Sequence, residues 1–211
     1  MKKRIVIFGN GTLHKDFLGY LTPGDYIIGV DRAAYWLLTH DVLPDFAIGD
    51  FDSATTKELQ HIKKSIRTVK RYPPEKDWTD MELAVRHAVT LRPTQVIIVG
   101  GTGTRHDHTL ATLHLLDQLL EARIPHSLLD ATNRIRLIGV GKTSIEKASY
   151  RYISVLPYTK SITLSLTGFR YDLPKTKLLQ GTPLGISNEL RAFRGSIRLF
   201  SGKAWIIESN D

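Results

Sequence analysis

Residues 95–124, QVIIVGGTGTRHDHTLATLHLLDQLLEARI, contain the clearest indication of the fold. It begins with a continuous β-branched run, which is typical of a strand covered on both faces. Glycines follow the run, and the remaining segment has the apolar spacing of a helix with Asp107 or Thr109 near its N-cap. A buried strand, a glycine-rich connection and a helix indicate one unit of a parallel α/β sheet.

The same alternation of strand and helix precedes this unit. The strand candidates are RIVIFGN, YIIGVD and LPDFAIGD, the helix candidates are RAAYWLLTHD, TTKELQHIKKSI and TDMELAVRHAVTLRP, and HSLLD and RIRLIGVG follow as further strands. Repeated strand–helix pairs predict an α/β fold with a mainly parallel sheet and helices on both faces.

The pattern changes near residue 145. Short segments of alternating apolar residues, punctuated by Gly, Pro, Asn and Lys, replace the helices from YRYISVLPYT onward. Such segments predict a small, sandwich-like all-β C-terminal domain. We therefore place an α/β domain at 1–144 and a β domain at 145–211. A β domain this small has a marginal core, so we expect it to pack against the first domain or a partner chain.

Composition limits the classes of protein that need to be considered. The chain has 211 residues, of which 42% are hydrophobic and 24% charged, as is ordinary for a soluble protein. No apolar run approaches the roughly 20 residues that cross a membrane, so we expect no membrane partner. Cysteine is absent, which excludes disulfides, thiolate metal sites and a cysteine nucleophile. The simplest prediction from these features is a cytoplasmic protein.

The formal net charge of +8 has two interpretations. One is nucleic-acid binding, in which Lys and Arg neutralise phosphates. The other is a site for a small polyphosphate, with most basic residues merely solvated. The basic residues are scattered and do not alternate with aromatic residues as a base-stacking platform requires. Nucleic acid is therefore the less favoured partner, although the alternative stays open.

Carboxylates follow the predicted strands at three separate connections. Asp50 and Asp52 follow one strand, Asp77 and Asp80 lie at the start of one helix, and Asp107 lies at the start of another. Side chains at i and i+2 of an extended chain point the same way, so Asp50 and Asp52 are predicted to converge. Grouped carboxylates without cysteine favour Mg²⁺. Helix capping is an equally good interpretation of Asp80 or Asp107 taken singly.

The glycine-rich loop of residues 99–108 is a candidate anion site. Its glycines, which include Gly101 and Gly103, allow the backbone to approach an anion, and the following helix offers free N–H groups. Arg105 could place its planar guanidinium on a phosphate. The alternative is a tight strand-to-helix turn with a solvated arginine.

Four motifs in this order resemble the thiamine pyrophosphokinase family, in its short bacterial form. They are GDFDS at 49–53, KDWTDMELAV at 76–85, GGTGTRHDHTLATLHLL at 100–116 and GISNE at 185–189. The resemblance covers nearly the whole chain. It implies an α/β catalytic domain and a smaller β-sandwich domain in a homodimer. The implied reaction transfers the pyrophosphoryl group of ATP to the thiamine hydroxyl, with Mg²⁺, to give thiamine diphosphate and AMP.

The resemblance also implies roles for individual residues. The metal would be held by Asp50, Asp52 and Asp80; the catalytic residues would be Asp52, Asp80 and Asp107; ATP would contact Asp31, Gly101, Gly103 and Arg105; and thiamine would contact Ser187 and Asn188. Two alternatives remain: pyrophosphoryl transfer to another alcohol, such as a hydroxymethyl pterin, and nucleic-acid binding with acidic loops that only cap helices.

Two positions depart from the family pattern. Thr104 stands where the family often has a glycine before its arginine, which is expected to stiffen the loop. Arg32, with the two alanines that follow it, stands where the family often has two glycines, and we expect this arginine to alter the nucleotide contacts. Neither departure removes a carboxylate.

Overall fold

The computed structural model describes residues 3–211. The fold divides into two compact units, one ending at Asp130 and the other spanning Ala131–Asp211. The sequence placed the change of domain at residue 144 instead, because it assigned the RIRLIGVG strand to the α/β part. In the structure that strand belongs to the second unit.

The first unit contains a parallel sheet. Its strands are β1 (Arg4–Phe8), β2 (Tyr26–Val30), β3 (Phe46–Gly49), β4 (Val69–Arg71), β5 (Gln95–Val99) and β6 (His126–Leu129). They lie in the order β4-β3-β2-β1-β5-β6, and each neighbouring pair is parallel. The central strands are covered on both faces, as the apolar runs predicted: Ile5, Val6, Ile7 and Phe8 are each at most 1% exposed.

Helices cover both faces of this sheet, as predicted. A short 3₁₀ helix spans Lys15–Tyr20, followed by α1 (Ala33–Leu38), α2 (Thr56–Ser65), α3 (Asp80–Thr90) and α4 (His106–Glu121). On one face, α1 shares a core with side chains of β1 and β5. On the other, α3 and α4 pack against each other, α3 against β1, β2 and β3, and α4 against β6.

The helix starts match the sequence only in part. Thr79 caps α3 by accepting a hydrogen bond from the Glu82 amide at 3.1 Å, and Asp80, the capping candidate from the sequence, is the first residue of the helix. Helix α4 begins at His106 with Arg105 at the N-cap, so Asp107, one of the two residues expected near that cap, lies in its first turn. The Thr109 hydroxyl instead contacts the preceding loop, where it accepts from the Gly103 amide at 3.2 Å.

The order of the strands creates a switch point beside β1. The chain builds β2, β3 and β4 on one side of β1 and then crosses to β5 on the other side. The connections after β1 and β5 consequently run side by side. Their backbones are joined by hydrogen bonds from Gly9 N to Val99 O at 2.8 Å and from Gly11 N to Gly100 O at 2.9 Å. Ligands of open parallel sheets bind in the crevice at such a point.

The second unit is a β-sandwich, as predicted. Its strands are β7 (Asn133–Ile138), β8 (Gly141–Glu146), β9 (Tyr152–Pro157), β10 (Ser161–Thr167), β11 (Leu173–Leu179), β12 (Arg194–Ser201) and β13 (Ala204–Ser209). They form two antiparallel layers, β7-β13-β9 and β11-β10-β12-β8. Side chains of both layers share one apolar core, for example Ile162 and Leu164 with Val155 and Ile206. No helix within residues 3–211 is long and apolar enough to cross a membrane.

Candidate active site

A cavity of about 580 Å³ lies at the carboxyl edge of the parallel sheet, within the size range of small-molecule sites. Its walls come from the connections after β1, β2, β3, β4 and β5 and from the N-terminal parts of α3 and α4. The lining includes Asn10, Asp31, Asp50, Asp80 and Arg105. The cavity is therefore at the switch point, where the topology favours a ligand.

Asp50 and Asp52 converge through a turn, which corrects the extended geometry that the sequence suggested. Strand β3 ends at Gly49, and Phe51 adopts a left-handed conformation with φ of 60°. The Phe51 side chain is 2% exposed and packs in the core. The Asp52 amide donates to Asp50 Oδ1 at 3.1 Å, which closes the turn. Burial of the aromatic ring thus anchors the loop that presents the two carboxylates.

Asp31 follows β2 and is held by two polar neighbours. Its Oδ2 accepts from Ser53 Oγ at 2.6 Å and from Asn10 Nδ2 at 3.1 Å, and Asn10 also contacts Ser53 at 3.0 Å. Within residues 3–211, no hydrogen bond reaches the buried Asp31 Oδ1. Burial raises the pKa of Asp31, and the nearby carboxylates of Asp80 and Asp50 add to this effect. Its backbone is also strained, with φ of 51°.

Asp31, Asp50 and Asp52 form a cluster that fits a divalent cation. One carboxylate oxygen of each lies within 4.8 Å of the others. Hard carboxylate oxygens suit Mg²⁺, and a metal would provide a partner for the orphaned Asp31 Oδ1. The resemblance had implied Asp80 as the third ligand and Asp31 as an ATP contact. In the structure, Asp31 is the residue grouped with Asp50 and Asp52. Asp80 is connected to Asp50 through another side chain.

That residue is Lys76, which sequence reasoning missed. Its Nζ lies 2.8 Å from Asp50 Oδ2 and 3.1 Å from Asp80 Oδ1. Burial disfavours the charged form of Asp50, but the hydrogen bonds from Lys76 and the Asp52 amide outweigh it and lower the pKa of Asp50. Burial raises the pKa of Asp80 despite its contact with Lys76. The i, i+4 spacing of Lys76 and Asp80 does not predict this contact, because Lys76 lies in the loop before α3 and not in the helix.

The glycines of the loops around the cavity allow close packing of backbone. A Cβ added to Gly11 would lie 2.2 Å from the Thr102 carbonyl oxygen, and one added to Gly9 would lie 2.5 Å from the Gly100 oxygen. A Cβ on Gly101 would meet the α4 side chain of Thr112 at 2.9 Å. Of these three glycines, the sequence had explained only Gly101 by approach to an anion. Packing between the two loops and α4 is a physical reason that applies to all three.

Arg105 and Asp107 bind each other. Arg105 Nη2 lies 2.6 Å from Asp107 Oδ2, and Arg105 Nε lies 3.2 Å from Oδ1. Arg105 lines the cavity together with Gly101, Gly103 and Thr104. Asp107 is not part of that lining or of the aspartate cluster. The arginine contact lowers the pKa of Asp107 to about 2.

Arg32, the departure from the family pattern, binds another side chain rather than the cavity. Its guanidinium donates to Glu58 Oε1 from Nη2 at 2.9 Å and from Nε at 3.2 Å. Glu58 forms a capping box with Thr55 at the start of α2. Arg32 thus ties the beginning of α1 to the beginning of α2, and it is not among the residues that line the cavity.

Ser187 and Asn188 lie in the second unit. The Asn188 side chain is buried, where Nδ2 donates to Tyr171 O at 2.8 Å and Oδ1 accepts from the Tyr171 amide at 3.1 Å. Ser187 is exposed and adopts a left-handed conformation with φ of 54°. Its amide donates to Ser154 Oγ at 3.0 Å. Asn188 therefore holds the loop in place through Tyr171. Ser187, the next residue in the loop, is exposed instead of buried.

Comparison with known proteins identifies the family. Residues 18–128 match the thiamin pyrophosphokinase catalytic domain, and residues 142–202 match the thiamin pyrophosphokinase vitamin B1 binding domain. The chain belongs to the thiamin pyrophosphokinase family. The first match contains every carboxylate discussed above, and the second contains Ser187 and Asn188.

Individual thiamin pyrophosphokinases agree with this assignment. The thiamine pyrophosphokinase of Bacillus subtilis (strain 168) is 38% identical over 209 residues, which is 98% of each chain. The crystal structure of thiamine pyrophosphokinase from Bacillus subtilis has a TM-score of 0.93 and covers 99% of this chain and 100% of its own. That from Geobacillus thermodenitrificans is 31% identical with a TM-score of 0.89, over 99% and 98% of the two chains. The predicted family and fold class are confirmed.

Proposed function

We propose that this chain is an ATP-dependent thiamine pyrophosphokinase. It transfers the pyrophosphoryl group of ATP to the thiamine hydroxyl, with Mg²⁺, and releases AMP and thiamine diphosphate. The observation that supports this most is the cluster of Asp31, Asp50 and Asp52 at the sheet's switch point, in a chain of this family. Carboxylates on a cavity wall in a chain with net charge +8 are best explained by a bound cation and its phosphate ligand.

Phosphoryl-type transfer asks the protein mainly for positioning and neutralisation of charge. Asp50 and Asp52, with Asp31 or Asp80, hold the metal in this proposal. When bound, Mg²⁺ neutralises charge on the triphosphate. The backbone at Gly101 and Gly103 lies along the triphosphate, and Arg105 binds its oxygens from the same cavity wall. For this contact Arg105 exchanges Asp107 for phosphate, a substitution that its exposed position allows.

One carboxylate accepts the proton of the thiamine hydroxyl as this oxygen attacks the β-phosphorus. The two candidates, Asp80 and Asp107, have opposite electrostatic environments. Burial raises the pKa of Asp80, whereas Arg105 lowers that of Asp107 to about 2. A base is most effective when its pKa lies near the operating pH. These directions favour Asp80 as the base and leave Asp107 as the partner that holds Arg105 before ATP binds.

The second unit supplies the thiamine contacts in this proposal, at Ser187 and Asn188. Because Asn188 is committed to Tyr171, it acts through the shape of the loop and Ser187 makes the direct contact. The enzyme acts as a homodimer. Large apolar side chains exposed on the second unit support this, namely Val140, Tyr171, Leu179, Leu184, Ile186 and Phe193. A cytoplasmic location completes the proposal and is supported by the absence of cysteine.

The test is AMP release from ATP with thiamine and Mg²⁺ present together and with each omitted in turn. We expect AMP only when both are present, and a loss of at least about 100-fold in Asp52→Asn, a size typical of removing one electrostatic group from an active site. Lys64→Met, on the exposed side of α2, is the matched control and retains activity. AMP formation without thiamine, or full activity in Asp52→Asn, would contradict the proposal.

The same assay separates the two alternatives. A hydroxymethyl pterin offered in place of thiamine is expected to give no AMP. A nucleic-acid-binding protein would instead bind DNA or RNA with a steep dependence on salt and would not consume ATP.

A further inference from the structure

Lys76 occupies an unusual position at the cavity wall. Its ammonium lies between carboxylates from two different connections, 2.8 Å from Asp50 and 3.1 Å from Asp80, and 3.2 Å from the carbonyl oxygen of Pro73. Its side chain is only 10% exposed. An ammonium is strongly hydrated, so burying it requires partners of opposite charge. The aspartates are those partners.

Within residues 3–211, the salt bridges to the cavity's aspartates all come from Lys76. The other basic side chains nearby are engaged differently. Arg105 pairs with Asp107 and is 69% exposed. Arg71 contacts Asp50 at 3.2 Å, but at its backbone carbonyl oxygen rather than its carboxylate. The negative charge of the cluster is therefore balanced locally by one side chain.

We propose that Lys76 is the built-in counter-ion of the acidic cluster, which a divalent cation must displace in order to bind. This inference rests on the metal site of the proposed function and extends it. Two cations cannot share the Asp50 carboxylate without repulsion, because charges a few ångströms apart interact strongly even at the moderate effective dielectric of a protein surface. Lys76 therefore weakens the binding of a metal that arrives alone.

A metal ion that binds together with a triphosphate does not meet the same repulsion from Lys76. The negatively charged triphosphate can pair with the displaced Lys76 ammonium. The cost of displacing Lys76 is therefore removed when metal and nucleotide are both present. Binding of metal and nucleotide is consequently coupled, and coupling of binding free energies is reciprocal. Lys76 makes the enzyme select the metal–nucleotide complex over the free metal ion.

The test measures Mn²⁺ binding in the absence of nucleotide and thiamine, by electron paramagnetic resonance of the free ion. Lys76→Met removes the charge and keeps the chain length, and Lys76→Gln is a second neutral variant in case the first does not fold. Lys76→Arg keeps the charge, and Lys64→Met removes the same charge from an exposed position on α2. Asp52→Asn reports whether the aspartates bind Mn²⁺ at all.

We expect the neutral Lys76 variants to bind Mn²⁺ about tenfold more tightly than the wild type, equivalent to about 1.4 kcal/mol. Lys76→Arg and Lys64→Met should stay within about twofold of the wild type. In a chelator, Lys76→Met should also melt at a lower temperature than the wild type, and Mn²⁺ should restore it. A purely structural role for Lys76 predicts the opposite, weaker Mn²⁺ binding in the neutral variants.

Unchanged or weaker Mn²⁺ binding in Lys76→Met and Lys76→Gln would overturn the inference. The Asp52→Asn arm separates this failure from failure of the metal site itself. If Asp52→Asn loses Mn²⁺ binding while the Lys76 variants do not change it, only the counter-ion role is wrong. If Asp52→Asn binds Mn²⁺ like the wild type, the proposed metal site is wrong and the inference falls with it.

Discussion

The residues of the site are arranged at the expense of stability. Asp31 and Phe51 both adopt left-handed backbone conformations, which are uncommon for residues other than glycine. Asp31 is also buried beside other carboxylates. Strain and repulsion of this kind persist where function requires them, because the surrounding fold holds them in place. Phe51 illustrates this, since its buried ring anchors the turn between Asp50 and Asp52.

Asp31→Asn should stabilise the metal-free protein at neutral pH. The pKa of Asp31 is raised in the fold, so its deprotonation opposes folding, and this penalty is fully present above the folded pKa. Asparagine has no such penalty and tolerates the left-handed conformation. We expect a rise in melting temperature of about 2–4 °C for each kcal/mol recovered, together with loss of Mn²⁺ binding. Thermal unfolding in the presence of a chelator measures the change in melting temperature.

The pH dependence provides the control. The advantage of Asp31→Asn should vanish as the pH falls below the ordinary aspartate value of about 3.9, where Asp31 is protonated in both states. Asp107→Asn is the matched control, in which the pKa shift has the opposite direction. Because the pKa of Asp107 is lowered to about 2, this substitution should not raise the melting temperature at neutral pH. A lower melting temperature for Asp31→Asn at pH 7 would refute this account of the carboxylate.

At the scale of elements, the site depends on two loops packed backbone to backbone. Gly11→Ala should disrupt them, because its Cβ would lie 2.2 Å from the Thr102 carbonyl oxygen, and a carbonyl cannot move aside like a flexible side chain. We expect binding of ATP with Mg²⁺ to weaken at least about tenfold, with a fall in melting temperature. Isothermal calorimetry and thermal unfolding measure the two effects.

Gly19→Ala is the matched control for this prediction. It makes the same substitution in the 3₁₀ helix, where an added Cβ meets no atom within 4 Å. It should leave nucleotide binding unchanged. Equal effects of the two substitutions, or wild-type binding by Gly11→Ala, would mean that the close contact of the loops does not shape the nucleotide site.

The sequence predicted the elements better than the contacts between them. Apolar runs and helical periodicity were sufficient for the parallel sheet and the sandwich, because burial dictates both patterns. Asp31 and Asp50 both follow strands of the parallel sheet, which is enough to place them at the same edge of the sheet. Their close grouping depends in addition on turn conformations and on Asn10, which lies in another connection. Lys76 was missed for a similar reason, because its partner Asp50 is 26 residues away in the chain. The resemblance to the family implied the reaction, and the structure revealed the contacts of Lys76 with Asp50 and Asp80.

At the scale of the whole molecule, the proposed homodimer can be tested directly. Light scattering should give twice the chain mass of 23.8 kDa. Phe193→Glu, at a side chain that is 67% exposed on the second unit, should shift the protein towards monomer, because a charge in an apolar interface is left without a partner. Leu43→Glu, at a 63% exposed side chain of the first unit, is the control and should remain dimeric. A monomeric wild type at micromolar concentration would contradict the dimer.

If the pyrophosphoryl group moves from ATP to thiamine as one unit, the terminal phosphate of ATP must move with it. ATP labelled at the γ-phosphate should be incubated with the protein, thiamine and Mg²⁺, and all products should be separated and quantified. We predict that the label appears in thiamine diphosphate, with one AMP formed for each and no ADP. The proposed reaction would be contradicted by release of the label as free phosphate, by formation of ADP instead of AMP, or by the absence of labelled thiamine diphosphate.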